Sequence, residues 1–236
     1  MRKDFEVNWE CPYCSQTSHS YDDTEAIQKF KDHLFEHVKP LIQSDVHIAD
    51  TVDRAGDILV TAPVGGRGAT RARVHFTSPA DFALFVTSQP AERVRLLAEE
   101  LNSWPSWSAI LTTKQQPFAD ITGIDLESAP VEVVILDKRC GLKQLGETVA
   151  RVLDEHETSS AKVSVEFDIL SELLTLFDLK TVFKFVHVLN ARLENADALT
   201  HYYLNPDNHP ESSVNMLTKL FDLTISTRNG AFVSNS

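Results

Sequence analysis

From about residue 56 onward the apolar positions fall into two kinds of run, and their order predicts the architecture. Short dense runs at Ile58–Val60, Phe82–Val86, Ser108–Leu111 and Val131–Leu136 read as strands. Val163, Val165 and Phe167 alternate with polar residues in the same way, and His201–Leu204 and Leu223–Ser226 complete the set. Between these runs apolar residues recur at helical spacing. Val94, Leu97 and Leu101 follow Pro90; Leu142, Leu145, Val149 and Val152 follow Gly141; Val214, Leu217 and Phe221 follow Pro210. The broadest face carries Leu179, Val182, Phe183, Val186, Leu189 and Leu193. Strands separated by helices predict an α/β fold, a mostly parallel sheet with helices on both faces. The density of Val131–Leu136 suits a central strand, and Leu223–Ser226 reads as the last one. Thr112–Ala129 is long and polar, and Trp104 and Trp107 flank Pro105 in a loop.

Composition narrows the class. The chain has 236 residues, 42% of them hydrophobic, with a formal net charge of −12. That supports a sizeable core and argues against extended disorder. The acidic balance counts against a general polyanion binder, which needs a concentrated basic face. The opening residues lack the apolar segment of a signal peptide, and no apolar run approaches the roughly 18 residues of a membrane span. The three cysteines are Cys11, Cys14 and Cys140, an odd count with two close together. This favours metal or redox chemistry in a reducing compartment over a disulfide scaffold, so a cytoplasmic protein is expected.

The strongest chemical pattern lies in residues 1–40, which a connector over 41–55 joins to the larger region, 56–236. Cys11-Pro12-Tyr13-Cys14 is followed after 18 residues by His33-Leu34-Phe35-Glu36-His37. A C-x2-C knuckle turns two thiolates to one side, and histidines at i and i+4 project from one face of a helix. Cys11, Cys14, His33 and His37 thus make four ligands for a closed tetrahedral Zn²⁺ site, structural because no position stays open for a catalytic water. Trp9 and Phe30 stand where a zinc finger places its packing residues, and Phe30 shares the helix side of His33 and His37. The pattern resembles a C2H2-type zinc finger, except that common fingers have about 12 residues in the loop. His19 is an alternate ligand of lower weight. A thioredoxin-like C-x-x-C needs a preceding strand in a βαβ unit, which this stretch does not suggest. A chance spacing with His33 and His37 facing solvent is the remaining bland alternative.

Residues 1–40 hold five basic and eight acidic side chains, and the finger helix opens on Asp22, Asp23, Glu25 and Gln28. A DNA-reading helix needs Arg or Lys for phosphate and guanine contacts, so a protein partner is expected rather than nucleic acid.

The stretch from Gly56 to Thr227, above all residues 167–225 beginning FDILSELLTLFDLKTVFKF, resembles a RecA/KaiC-like domain family of unknown function found in haloarchaea. That resemblance implies a RecA-like sheet without an intact nucleotide site. A phosphate loop needs G-x-x-x-x-G-K-[ST], whose backbone N–H groups cradle phosphate while Lys neutralises it. After the first strand this chain has Ala62-Pro63-Val64-Gly65-Gly66-Arg67-Gly68-Ala69-Thr70-Arg71, with no Lys at the required place. The Gly65–Arg71 segment is expected to be a flexible surface turn, with a degenerate anion loop as the alternative. Two apolar runs end in aspartate, Asp137 and Asp168. Asp168 is the closer match to the family's magnesium-binding position, although a strand-end Asp commonly caps the next helix. Cys140 is expected to be an idle thiol, and His187 a core or boundary residue. The functional expectation is a non-catalytic, zinc-binding regulatory or scaffolding protein working through protein contacts. A zinc-finger transcriptional regulator and an ATP-binding protein with a degenerate phosphate loop are the alternatives.

Overall fold

The computed structural model describes residues 7–10, 17–20, 29, 55–63, 66–78, 80–101, 103–156, 161–228 and 231–234. The chain divides into two units, Met1–Ile48 and Ala49–Ser236. In the first, β1 (Val7–Glu10) and β2 (Thr17–Ser20) pair antiparallel, with Val7 opposite Ser20 and Glu10 opposite Thr17. Residues 11–16, which include Cys11 and Cys14, join the two strands. A strand therefore does precede Cys11, as one arm of a ribbon rather than part of a βαβ unit. Cys11, Cys14, Phe30, His33 and His37 themselves lie outside the described residues.

The second unit is an α/β fold on one eight-stranded sheet. In chain order it contains β3 (Gly56–Thr61), α1 (Arg67–Thr77), β4 (Phe82–Val86), α2 (Pro90–Glu99), β5 (Trp107–Thr112) and β6 (Val131–Ile135). There follow α3 (Leu142–His156), β7 (Val163–Phe167), α4 (Leu170–Leu176), α5 (Leu179–Glu194), β8 (Ala198–Leu204), α6 (Glu211–Leu217), β9 (Leu223–Arg228) and β10 (Ala231–Ser234). The strand order is β10-β9-β3-β8-β7-β4-β5-β6, parallel throughout except for the terminal β9–β10 hairpin. No described helix is long and apolar enough to cross a membrane.

Crossover handedness distributes the helices. The chain moves from β3 over β8 and β7 to β4, then on to β5 and β6, and returns from β6 to β7, β8 and β9. Right-handed crossovers in opposite directions place α1 and α2 on one face and α3 to α6 on the other. The side chains agree: Ala83, Phe85 and Ile110 pack with Val94 and Leu97 of α2. Leu84, Val86, Leu111, Val165 and Phe167 pack with Val149, Val182, Val186 and Leu193 of α3 and α5. Each of these buried side chains larger than alanine contributes about 1.5–3 kcal/mol. The α5 helix begins at Asp178, whose carboxylate accepts from Thr181 N at 3.0 Å.

Four expectations need correction. Residues 67–71 are not a surface turn: they open α1, whose Gly68, Ala69, Ala72 and Phe76 are buried against the sheet. A Cβ on Gly68 would lie 2.5 Å from Thr227 Cβ, so glycine is what lets α1 approach β9. Val131–Leu136 is not central, since β6 is the outermost strand on its side. Its apolar character comes from cover on both faces, by residues 118–126 of the preceding loop and by α3. Leu223–Ser226 is not the last strand, because β10 pairs with it. Trp107 belongs to β5 rather than to a loop, and α4 is a helix that the apolar spacing alone did not reveal.

Candidate functional site

Ligand crevices in open parallel sheets lie beyond the carboxyl ends of strands, where neighbouring strands send their connections to opposite faces. β4 and β7 are such a pair: β4 leads into α2 on one face, β7 into α4 on the other. At this point the chain assembles a buried ionic cluster. Glu166 points from β7 to the α1–α2 face, while its neighbours Val165 and Phe167 point to the opposite core. Its Oε1 accepts from Arg73 Nε of α1 at 2.8 Å and lies 3.0 Å from Arg93 Nη1 of α2. Asp168, one residue past the strand, sits 3.5 Å from Arg93 Nη2 and 3.9 Å from Arg73 Nη2. Thr87, one residue past β4, donates its hydroxyl to Asp168 Oδ2 at 2.9 Å. Two cations thus face two carboxylates, all of them largely buried between the strands and helices.

The cluster extends along the same face of the sheet. The Arg73 guanidinium lies 4.0 Å over the Tyr203 ring. Tyr203 OH and His201 Nδ1 are 3.0 Å apart, and His201 Nε2 and Ser164 Oγ are 3.0 Å apart. His201 is fully buried. Burial pushes its pKa down to about 4, so the ring is neutral and gives one hydrogen bond while taking another. Serine, histidine and tyrosine in sequence invite comparison with a nucleophilic relay. Ser164 is 2% exposed, and its hydrogen bond to His201 joins β7 to β8.

The electrostatics are those of a closed network. Burial alone would raise the Glu166 carboxyl, but Arg93 and Arg73 together outweigh it and hold it below its ordinary range. For Asp168 burial dominates and the nearby Glu166 charge adds to it, so the carboxyl is raised to about 6 in spite of the arginines. Arg73 is held more firmly protonated: burial opposes this, and Glu166, Tyr203 and Asp168 overcome it. Glu166 Oε2, Asp168 Oδ1 and Arg93 Nε are buried without a protein partner.

Asp168 therefore does not cap the following helix, whose N-cap is Ile169 with no side-chain cap bond. The other strand-end aspartate caps no helix either: Asp137 Oδ1 accepts from Arg139 N at 2.7 Å and closes a local turn ahead of α3. Against the phosphate-loop pattern, the residues before and within α1 align as Pro63-Val64-Gly65-Gly66-Arg67-Gly68-Ala69-Thr70. Gly68 and Thr70 keep their places, Pro63 replaces the first glycine, and buried Ala69 replaces the lysine. The α1 N-cap is Gly66, with no side-chain cap bond.

Cys140 is half-buried, and burial together with Asp137 raises its thiol above the ordinary value, the reverse of an activated nucleophile. His187 is exposed on α5 rather than at a core boundary. No group of three or more His, Cys, Asp or Glu able to hold a metal occurs among the described residues. The four zinc-ligand candidates fall outside them. Sequence reasoning passed over Arg73, Arg93, Glu166 and Thr87. A signal was there: Arg73 and Arg93 occupy the apolar stripes of their helices, beside Ala72 and Phe76 and beside Val94 and Leu97.

Comparison with known proteins adds a family. A solved structure from Pyrococcus horikoshii OT3 is similar with a TM-score of 0.49 and 12% identity, over 77% of this chain and 85% of that one. No curated protein matches. The model of DUF7504, a family of unknown function, matches residues 55–227, from the start of β3 into β9, and so takes in the whole ionic cluster. The chain belongs to the DUF7504 family.

Proposed function

We propose that the second unit is a RecA-like domain without nucleotide chemistry, and that the chain is a zinc-binding regulatory or scaffolding protein acting through protein contacts. One observation carries this reading: Arg73 and Arg93 occupy the two carboxylates at the β4–β7 crevice where a working domain of this kind would present an acidic residue to Mg²⁺. Guanidiniums paired to both carboxylates neutralise the negative charge that would attract a divalent cation. Ala69 in place of the phosphate-loop lysine removes the complementary charge for the nucleotide. The two losses agree with each other.

For the first unit, the antiparallel ribbon of β1 and β2 supports a metal knuckle, because it brackets the segment that contains Cys11 and Cys14. Cys11, Cys14, His33 and His37 would hold one Zn²⁺, which would stabilise a segment too short to bury a core of its own. The acidic balance of residues 1–40 favours a protein partner over DNA.

Two readouts test the reading on the full chain. Elemental analysis should find about one zinc per chain, lost when Cys11 and Cys14 become Ser. Nucleoside triphosphate hydrolysis with Mg²⁺ should stay at the buffer background. Turnover that disappears in Arg67→Ala or Thr70→Ala would defeat the non-catalytic reading, and a zinc-free protein under reducing conditions would defeat the zinc one.

A further inference from the structure

The strand β6 is the outermost of the described strands on its side of the sheet. In its ladder with β5, Ser108 N donates to Pro130 O at 2.8 Å and Leu136 N donates to Thr112 O at 2.7 Å. Backbone groups alternate along a strand, so those of residues 130, 132, 134 and 136 face β5, and those of Val131, Val133 and Ile135 face outward. Val131 N–H already donates to Ala129 O at 2.8 Å. The carbonyls of Val131, Val133 and Ile135 and the N–H groups of Val133 and Ile135 remain on an edge that no described strand pairs with. Ile135 is 46% exposed, a β-branched apolar side chain on that rim.

We propose that β6 pairs antiparallel with β6 of a second copy of this chain, about a two-fold axis at Val133. The register is set by chemistry at three levels. Val133 N–H and C=O meet those of Val133 in the second copy, and Ile135 N–H meets Val131 C=O, giving four backbone hydrogen bonds across the axis. On the α1–α2 face Val133 meets its own copy and Ile135 covers Val131, a run of apolar cross-strand pairs. On the other face Glu132 stands opposite Val134, so no like charges meet. The flanks are complementary as well: exposed Glu127 precedes β6 and exposed Lys138 and Arg139 follow it. Antiparallel pairing about Val133 carries Arg139 towards Glu127 of the second copy, twice by symmetry. An isologous contact closes on itself, so the two sheets become one and the edge is consumed.

This inference is independent of the nucleotide and zinc readings. Sedimentation equilibrium of the full chain over a range of micromolar concentrations should show a monomer–dimer equilibrium. Val133→Pro is the sharpest variant. The Val133 N–H faces away from β5, so proline leaves the β5–β6 ladder intact and removes only the outward donor. It should weaken dimerisation at least ~10-fold, about 1.4 kcal/mol, with an unchanged circular dichroism spectrum. Arg139→Glu should weaken dimerisation in a salt-dependent way, and combining it with Glu127→Arg should restore it. A monomer at every concentration overturns the proposal. So does a dimer unaffected by both Val133→Pro and Arg139→Glu, because its interface then lies elsewhere.

Discussion

Glu166 shows how one residue can organise a buried face. It is 1% exposed, accepts one hydrogen bond from Arg73 and lies against Arg93, so α1, α2 and β7 are tied through a single carboxylate. Replacing such a group with an uncharged one leaves two buried guanidiniums with Asp168 as their one remaining carboxylate in the cluster. Glu166→Ala is expected to cost about 3–5 kcal/mol, the usual penalty for breaking a buried pair from one side. Chemical denaturation of the variant beside the parent protein measures this. A loss under about 1 kcal/mol would mean that the cluster admits water and is not sealed. The residue was hard to find from sequence for a physical reason. In a strand covered by helices on both faces, alternation of Val163, Val165 and Phe167 with Ser164 and Glu166 does not separate core from solvent. It separates two buried faces, one apolar and one ionic.

At the scale of elements, most strands and the long helices were legible because their periodicity matches their burial. Leu179–Glu194 is the clearest case, with Val182, Val186, Leu189 and Leu193 all buried on one stripe. Others were missed or misplaced, among them α4 and β10, and two are instructive. The α1 helix begins with glycine and arginine, residues that read as a turn, and it is stabilised by how closely its small residues approach the sheet rather than by propensity. Gly68→Ala tests this. The added methyl would meet Thr227 Cβ at 2.5 Å and Oγ1 at 2.8 Å, so the helix must shift. The expected loss is about 1–3 kcal/mol, read as a lower denaturation midpoint, with partial recovery in Gly68→Ala/Thr227→Gly. No loss would show that α1 does not rest tightly on β9. The second misread element is β6, since apolar density reports cover on the faces of a strand and not whether its edges are paired.

For the whole molecule, the two raised carboxyls give stability a definite pH dependence. Asp57 N donates to Asp222 Oδ2 and Asp222 N donates to Asp57 O, both at 2.9 Å, joining the start of β3 to the start of β9. Burial, and then the Asp222 charge, raise Asp57 to about 7, as burial and Glu166 raise Asp168 to about 6. Both groups favour the folded state in their protonated form. Their contribution is complete below the unfolded carboxylate range near 4 and is lost as pH rises through about 6 and about 7. Glu166 acts oppositely, and its contribution is lost only as pH falls through its lowered value. Stability should therefore decline between about pH 4 and about pH 7. Asp57→Asn should flatten that decline and exceed the parent at pH 8 by about 1–2 kcal/mol, allowing for solvent screening at a partly exposed group. Thermal unfolding of the two proteins across this range decides it; parallel curves would mean that Asp57 ionises without cost.

The β4–β7 crevice decides whether this domain can serve a nucleotide. The zinc ligands could be proposed from spacing alone, whereas the cluster depends on Arg73, Arg93 and Glu166, which are distant in sequence and converge only in the fold. The most direct measurement is equilibrium binding of Mg²⁺–ATP to the full chain by isothermal titration calorimetry, carried to millimolar nucleotide. Arg73 and Arg93 closed on Glu166 and Asp168 predict no saturable heat, whether or not the metal is present. Saturable sub-millimolar binding that depends on Mg²⁺ and is lost in Asp168→Asn would contradict the account, because it would mean that the aspartate serves a nucleotide and not the arginines.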